Sequence, residues 1–303
     1  SSLPLGAFLM CLLARRSAAF AFAASLAGCG ERRPRHSEGP PEGSLGWAVE
    51  HPGRLEPGRD RWRHPLQTLL FWGLEPGMTV LEILPGRGWY SSILAPYLAA
   101  TGGQLYAASF DPVEGTVSQR EVLADWEARF MRNPRAYGQP VRTIVSRGAL
   151  APAESVDLAI LANNMHTLMA EGIAERVLAG VFQALKPGGG LGIEQHRASS
   201  TGLQDPLAGS GYVQEAYVRA LAQEAGFDFV AASDVNANPR DTRDHPFGVG
   251  SLPPVLRSSP LGQPDDPEFD TTPYEAIGES DRMTLRFRKP SGSAPASAPE
   301  SAP

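Results

Sequence analysis

Residues 78–90 constrain this chain more than any other stretch. The aliphatic run Val80-Leu81-Glu82-Ile83-Leu84 meets Pro85-Gly86-Arg87-Gly88 and passes into Trp89-Tyr90. Bounded upstream by Glu75-Pro76-Gly77, the run over 78–84 predicts a strand buried on both faces. A helix is expected to begin near Trp89. A strand that ends in a Gly-x-Gly turn and feeds a helix lets a ligand approach bare backbone and aims the free N–H groups of the helix at a negative group. Glu82 stands inside the apolar strand, where a carboxylate is costly without an ammonium or ordered donors beside it. An ordinary strand, turn and helix with glycine as punctuation has the same outline, so the rest of the chain must decide.

With 303 residues and 42% hydrophobic content, the chain can bury a sizeable core. Residues 1–36 hold five arginines against one glutamate, a net of +4, so the remainder stands at −10 against −6 for the whole chain. An acidic body argues against a nucleic-acid surface. The 32 glycines and 28 prolines predict long irregular connections. Both cysteines, Cys11 and Cys29, precede residue 30, so the globular part has no thiol for a disulfide, a zinc site or nucleophilic catalysis.

Arg15 and Arg16 precede a short apolar segment ending in small residues, the pattern of a secretory signal and too short to span a membrane comfortably. Translation is expected to start at Met10. Leu26-Ala27-Gly28-Cys29 resembles the lipobox of bacterial lipoproteins, which implies a signal peptide over 1–28 and a lipidated Cys29 on the periplasmic side of the cell envelope. An ordinary buried cysteine is the alternative. Residues 29–46 read as a flexible tether, 47–289 as one domain and 290–303, rich in Ser, Ala and Pro, as a disordered tail.

Within the domain, residues 47–64 are rich in arginine and tryptophan, which suits a solvated, partly helical flap or, less simply, a substrate lid or anion clamp. A helix opens at His64-Pro65 and stops at Gly73. Strands are predicted at 104–110, 141–145, 156–162, 191–194, 227–233 and 283–288, with helices at 89–100, 117–131, around 173–185 and at 212–224. Pro96 is expected to kink the first of these helices. Lys186-Pro187-Gly188-Gly189 reads as a helix stop and turn. The proline-rich stretch 234–280 is long enough to be either functional or disordered. The alternation predicts an α/β fold of three layers: a doubly wound, mostly parallel seven-stranded sheet with its last strand antiparallel.

Glu82, Gly86 and Gly88, Asp157 opening the fourth strand, and Leu185-Lys186-Pro187-Gly188-Gly189 before the fifth resemble, in that order, the class I S-adenosylmethionine-dependent methyltransferases. With Glu194-Gln195-His196-Arg197, residues 238–246 and residues 278–285, the chain is similar to a group of predicted exported bacterial methyltransferases over about four-fifths of its length. The resemblance implies a Rossmann-like methyltransferase fold and S-adenosyl-L-methionine as cofactor. It also implies that Glu82 holds the methionine ammonium, that Pro85, Gly86 and Gly88 shape the turn the cofactor crosses, and that Asn163 and Asn164 lie where the fourth strand opens toward the transferred methyl. The acidic residue that usually grips the ribose falls on Ser109, with Asp111 as a substitute two positions later. The usual first glycine is Leu84.

A sulfonium methyl is already activated, so transfer needs positioning, exclusion of water and removal of one proton. His166, His196 and His245 are the candidate proton acceptors, each also readable as a hydrogen-bonded structural group. Asp241, Asp244 and His245 make a loose metal pattern, and no metal is expected. The sequence thus predicts a membrane-anchored lipoprotein that methylates a small-molecule or envelope-associated acceptor and has no nucleic-acid partner. The alternatives are a catalytically inactive binding module of the same fold and a nicotinamide-dependent oxidoreductase, whose third turn glycine is missing here.

Overall fold

The computed structural model describes residues 39–292, so the signal peptide, Cys29 and most of the tail lie outside the described residues. Apolar runs set the sheet: β1 (Thr79–Ile83), β2 (Gln104–Ser109), β3 (Val141–Ile144), β4 (Val156–Ala162), β5 (Leu185–His196), β6 (Asp228–Ser233) and β7 (Arg282–Arg288). Their order is β3-β2-β1-β4-β5-β7-β6. Strands β1 to β5 pair in parallel, whereas β7 runs antiparallel to both β5 and β6. The predicted doubly wound seven-stranded sheet is present, and its centre between β1 and β4 is a switch point where the connections diverge to opposite sides.

The helices divide between the two faces. On one side lie α1 (Leu45–Val49), α2 (Asp60–Arg63), α3 (Pro65–Trp72), α4 (Ser91–Thr101), α5 (Val117–Phe130) and α6 (Pro134–Tyr137), whose Leu69, Trp72, Ile93, Trp126 and Phe130 share a core with Val80 and Ile160. On the other lie α7 (Met165–Ala170), α8 (Ala174–Ala184) and α9 (Glu215–Glu224), packed on Leu81, Ile83 and Leu161. Alternate residues of β1 therefore feed opposite cores, as a strand buried on both faces requires. Burying an aromatic such as Trp126 contributes about 3 kcal/mol before entropy is charged. Trp72 also donates its indole N–H to the Leu285 carbonyl at 3.1 Å, and Gly192 of β5 leaves the space it fills, since a Cβ there would sit 2.4 Å from the Trp72 ring. A last short helix, α10 (Thr272–Ile277), precedes β7.

Four details differ from the sequence reading. The N-terminal segment is packed rather than solvated: α1 begins at Leu45 inside the stretch read as tether, Leu45 and Ala48 are buried, and Arg54 is only 9% exposed. The helical region after β4 is divided, because Gly172 takes a left-handed φ of 64° between α7 and α8. Lys186-Pro187-Gly188-Gly189 is an excursion within β5, whose pairing jumps from Val156 opposite Leu185 to Leu158 opposite Gly190. Residues 234–280 are an insertion anchored by buried polar side chains, Asn236, Asn238 and Asp241 among them, while residues 260–268 are exposed. Asn236 donates to Thr68 Oγ1 at 2.9 Å and Thr284 Oγ1 at 3.0 Å, and Asn238 donates to the Ile277 and Glu279 carbonyls at 3.0 and 2.6 Å.

Candidate functional site

At the C-terminal ends of β1 and β4 the chain encloses a cavity of about 330 Å³. Its floor is Glu82, Leu84, Gly86, Asn163 and Asn164, and its roof is Leu55, Glu56, Arg59 and Arg63 from the N-terminal segment. Two non-glycine residues on this floor adopt left-handed backbone, Leu84 at φ 48° and Asn163 at φ 55°. Each such residue costs on the order of 1 kcal/mol, and such conformations cluster where a ligand must be met. Leu84, standing where the motif usually has glycine, thus bends as the glycine would.

Glu82 is 4% exposed, and its Oε2 accepts from Ser91 Oγ at 2.5 Å, which in turn accepts from Trp126 Nε1 at 2.8 Å. Burial pushes its carboxyl up to about 7, although the Ser91 hydroxyl and N–H pull the other way. Among the described residues no cation lies within ion-pair distance of Glu82. The two turn glycines have different duties. Gly86, at φ 58°, has open space where a Cβ would stand, whereas a Cβ on Gly88 would lie 2.2 Å from the Phe130 ring. Gly86 therefore keeps the backbone bare beside the cavity. Gly88 lets α4 pack on α5, and it does not line the cavity.

Behind the floor runs a chain of buried charges. Tyr90 donates to Glu194 Oε2 at 2.8 Å, and Asn163 Nδ2 donates to Glu194 Oε1 at 3.2 Å. Arg282 pairs with Glu194 at 2.9 Å and with Glu279 at 2.6 Å. Glu279 also takes Arg59 at 2.5 Å and Arg63 at 3.0 Å, which ties the roof to the start of β7. Burial alone would raise the Glu279 carboxyl, but Arg63, Arg59 and Arg282 outweigh it and hold it at about 2. Burial and Glu194 drive the Tyr90 phenol well above its ordinary range.

The histidines stand apart from this cavity. His166 and His196 are brought together, with ring centroids 5.5 Å apart, but neither lines it. His166 approaches Gln195 at 3.3 Å, and His196 Nδ1 meets Ser280 Oγ at 2.5 Å. Burial lowers the pKa of both, and for His196 the neighbouring His166 and Arg282 lower it further. His245 lies in the insertion, 2.8 Å from Asp241, whose oxygens also accept from Tyr212 at 3.0 Å. Asp244 turns away to Thr242, so the loose metal pattern is not assembled on these three residues.

Ser109 is buried at the end of β2, outside the cavity lining. Asp111 accepts from the N–H groups of Val113 and Glu114 at 2.8 and 3.1 Å and pairs with Arg147 at 2.8 Å. Those two N–H groups, and then Arg147, hold its carboxyl below the usual range. The residues thus fit the amino-acid end of S-adenosylmethionine better than its ribose. Glu82 is a buried acceptor with no cation beside it among the described residues, Gly86 is open backbone, and Asn163 Oδ1 is a buried oxygen with no hydrogen-bond partner among the described residues. Tyr90, Glu194, Glu279 and Arg282 lie in stretches that the sequence reading quoted without giving them a role. Glu194 carried a usable signal, a charge inside an apolar strand.

The strand order, with the last strand antiparallel, is that of the Rossmann-like methyltransferase fold. Solved structures align with this chain at low sequence identity. The [4+2]-cyclase SpnF aligns at a TM-score of 0.50 and 16% identity, covering 80% of this chain and 86% of its own. A SAM-dependent methyltransferase from Aquifex aeolicus aligns at 0.46 and 21% identity, covering 62% and 91%. Phosphoethanolamine N-methyltransferase 2 from Haemonchus contortus, in complex with S-adenosyl-L-methionine, aligns at 0.48 and 14%, covering 76% and 53%. No family model and no curated protein matches the sequence. The likeness is one of fold.

Proposed function

We propose that this chain binds S-adenosyl-L-methionine at the ends of β1 and β4 and transfers its methyl group to a small-molecule or envelope-associated acceptor. One observation carries the reading: Glu82 is a buried carboxylate with no cation beside it among the described residues, next to the open backbone of Gly86. A carboxylate so placed is stabilised by a ligand ammonium. When bound, the cofactor supplies an electrophilic methyl on a sulfonium. The chain's own residues hold the amino group at Glu82, keep the turn bare at Gly86 and exclude water beneath Arg59 and Arg63.

Titration of the purified chain with S-adenosylmethionine or S-adenosylhomocysteine should give saturable micromolar binding. Absence of binding at millimolar ligand sinks the proposal. Capping of Asp111 by Arg147 favours a second reading, a binding module that retains the fold without turnover; binding with no methyl transfer to any envelope extract would support it. The proposed setting is the periplasmic face of a bacterial envelope, with the chain anchored through lipidated Cys29, a reading that rests on Leu26-Ala27-Gly28-Cys29 after an apolar segment. A Cys29→Ala variant should then leave the membrane fraction, and unchanged fractionation defeats the anchor.

A further inference from the structure

Arg63 is the least committed charge in the roof of the cavity. Its guanidinium lies over the Trp89 ring at 4.9 Å and donates from Nε to Glu279 at 3.0 Å. With one face stacked and one corner paired, the edge that remains is the pair of Nη atoms. Neither has a hydrogen-bond partner among the described residues and neither is sealed from solvent, although the side chain is only 12% exposed and lines the cavity. Arg59 is more fully engaged, donating from Nε to Glu279 at 2.5 Å and from Nη1 to Glu56 at 2.7 Å. Glu279 also pairs with Arg282 at 2.6 Å, so three guanidinium groups share one carboxylate. Burial and the neighbouring Arg282 and Arg59 lower the pKa of Arg63, against the pull of Glu279 and Glu194. A half-buried cation crowded by two others is stabilised by an anion.

We infer that the methyl acceptor carries a carboxylate, seated on the Nη edge of Arg63. This rests on the proposed cofactor reading and narrows the acceptor to a substrate class. Two parallel N–H groups on one guanidinium edge match the two oxygens of a carboxylate, a geometry that a neutral acceptor uses weakly and a cationic one not at all. The cofactor's own carboxylate belongs elsewhere. It shares one carbon with the ammonium, so on the reading above it stays beside Glu82 at the end of β1. Arg63 is tied to the far side of β4 instead, through Glu279 to the start of β7 and through Arg282 to Glu194 of β5. The carboxylates of the lining leave the seat free. Glu56 is exposed and already paired with Arg59, and Glu82 meets the ammonium.

The full chain, saturated with S-adenosylhomocysteine, is titrated by NMR with benzoate, benzamide and benzamidine, probes of one shape that are negative, neutral and positive. Benzoate should bind and shift the Trp89 indole signal, with benzamide at least about tenfold weaker and benzamidine not binding. Arg63→Gln should reduce the preference for benzoate over benzamide by about 10–100-fold, the size expected of one charge-assisted pair. If Arg63→Gln unfolds, Arg63→Lys keeps the charge without the planar edge and should retain only part of that preference; full retention overturns the seat. The ratio of S-adenosylhomocysteine to methylthioadenosine affinity should be the same in the native chain and the variant. A fall in that ratio shows that Arg63 holds the cofactor's own carboxylate and overturns the inference, as does equal binding of benzoate and benzamide. In both cases the cofactor reading stands. Failure to bind S-adenosylhomocysteine removes the cofactor reading itself, and the inference falls with it.

Discussion

The Tyr90 hydroxyl donates to Glu194 Oε2 at 2.8 Å, joining the residue that opens α4 to the end of β5 across the back of the cavity. The same carboxylate receives Asn163 and pairs with Arg282, so one buried charge orders side chains from three strands and a helix start. Such a network is costly to break in part, because each remaining member keeps its desolvation penalty and loses a partner. Tyr90→Phe should therefore lower stability by about 1–3 kcal/mol in urea unfolding with the far-ultraviolet dichroism unchanged. A loss below the error of the measurement would mean that Glu194 is satisfied without the phenol.

Glu279 is the hinge between roof and sheet. Its native carboxyl, at about 2, lies below the ordinary 4.5. The stabilisation is therefore complete above about pH 4.5 and is lost as the pH falls toward 2, amounting to about 3 kcal/mol. Glu279→Gln should remove that acid-side loss and cost about 3–5 kcal/mol at neutral pH, because Arg59, Arg63 and Arg282 are left facing one another. Hydrogen exchange over residues 54–63 should quicken in this variant. Unchanged exchange there would show that the roof is held by Trp89 and Ser92 contacts instead.

The two glycines of the turn should separate function from folding. Gly88→Ala places a Cβ 2.2 Å from Phe130 at a φ of 99°, so overpacking and left-handed strain together should cost about 3–5 kcal/mol. Gly86→Ala meets open space at φ 58° and should cost about 1–2 kcal/mol. Its effect should instead appear as weaker binding of S-adenosylhomocysteine. Thermal melts with and without ligand distinguish the two, and equal losses of stability would contradict the division of duties.

The sheet was legible because its strands are short aliphatic runs between Gly and Pro signals, and the parallel order follows from the helices between them. Glu82 and Gly86 stand out in the sequence for the same reason, a charge and a bare turn beside Val80-Leu81 and Ile83-Leu84, and both line the cavity. The role of Gly88 was not legible, since its constraint comes from Phe130, 42 positions along the chain. Nor was the roof, because Arg59 and Arg63 look like solvated charges until Glu279, 220 and 216 residues away, is brought onto them. The histidines misdirect in the opposite way. Their chemistry suits proton transfer, but the fold turns His196 onto Ser280 and His245 onto Asp241, outside the cavity.

Glu82 gives the pH dependence that bears most directly on the proposed site. Its native carboxyl, at about 7, is raised above the ordinary 4.5 because burial disfavours the charge. For a raised acid the folded state binds the proton more tightly than the unfolded state. The ligand-free chain should thus be most stable below about pH 4.5, as far as Glu82 is concerned, and lose about 3 kcal/mol as the pH rises through 7. Glu82→Gln, which cannot ionise, should abolish that loss and be the more stable protein at pH 8. A ligand ammonium reverses the preference, since it favours the carboxylate, so affinity for S-adenosylhomocysteine should rise from pH 6 to pH 8 in the native chain. In Glu82→Gln the affinity should be flat with pH and lower by about 10–100-fold, the worth of one charge-assisted contact. Methylthioadenosine, which lacks the amino acid, should bind both proteins alike. A variant that gains stability at pH 8 yet keeps full affinity for S-adenosylhomocysteine would separate Glu82 from the ligand and leave its burial without a functional reason.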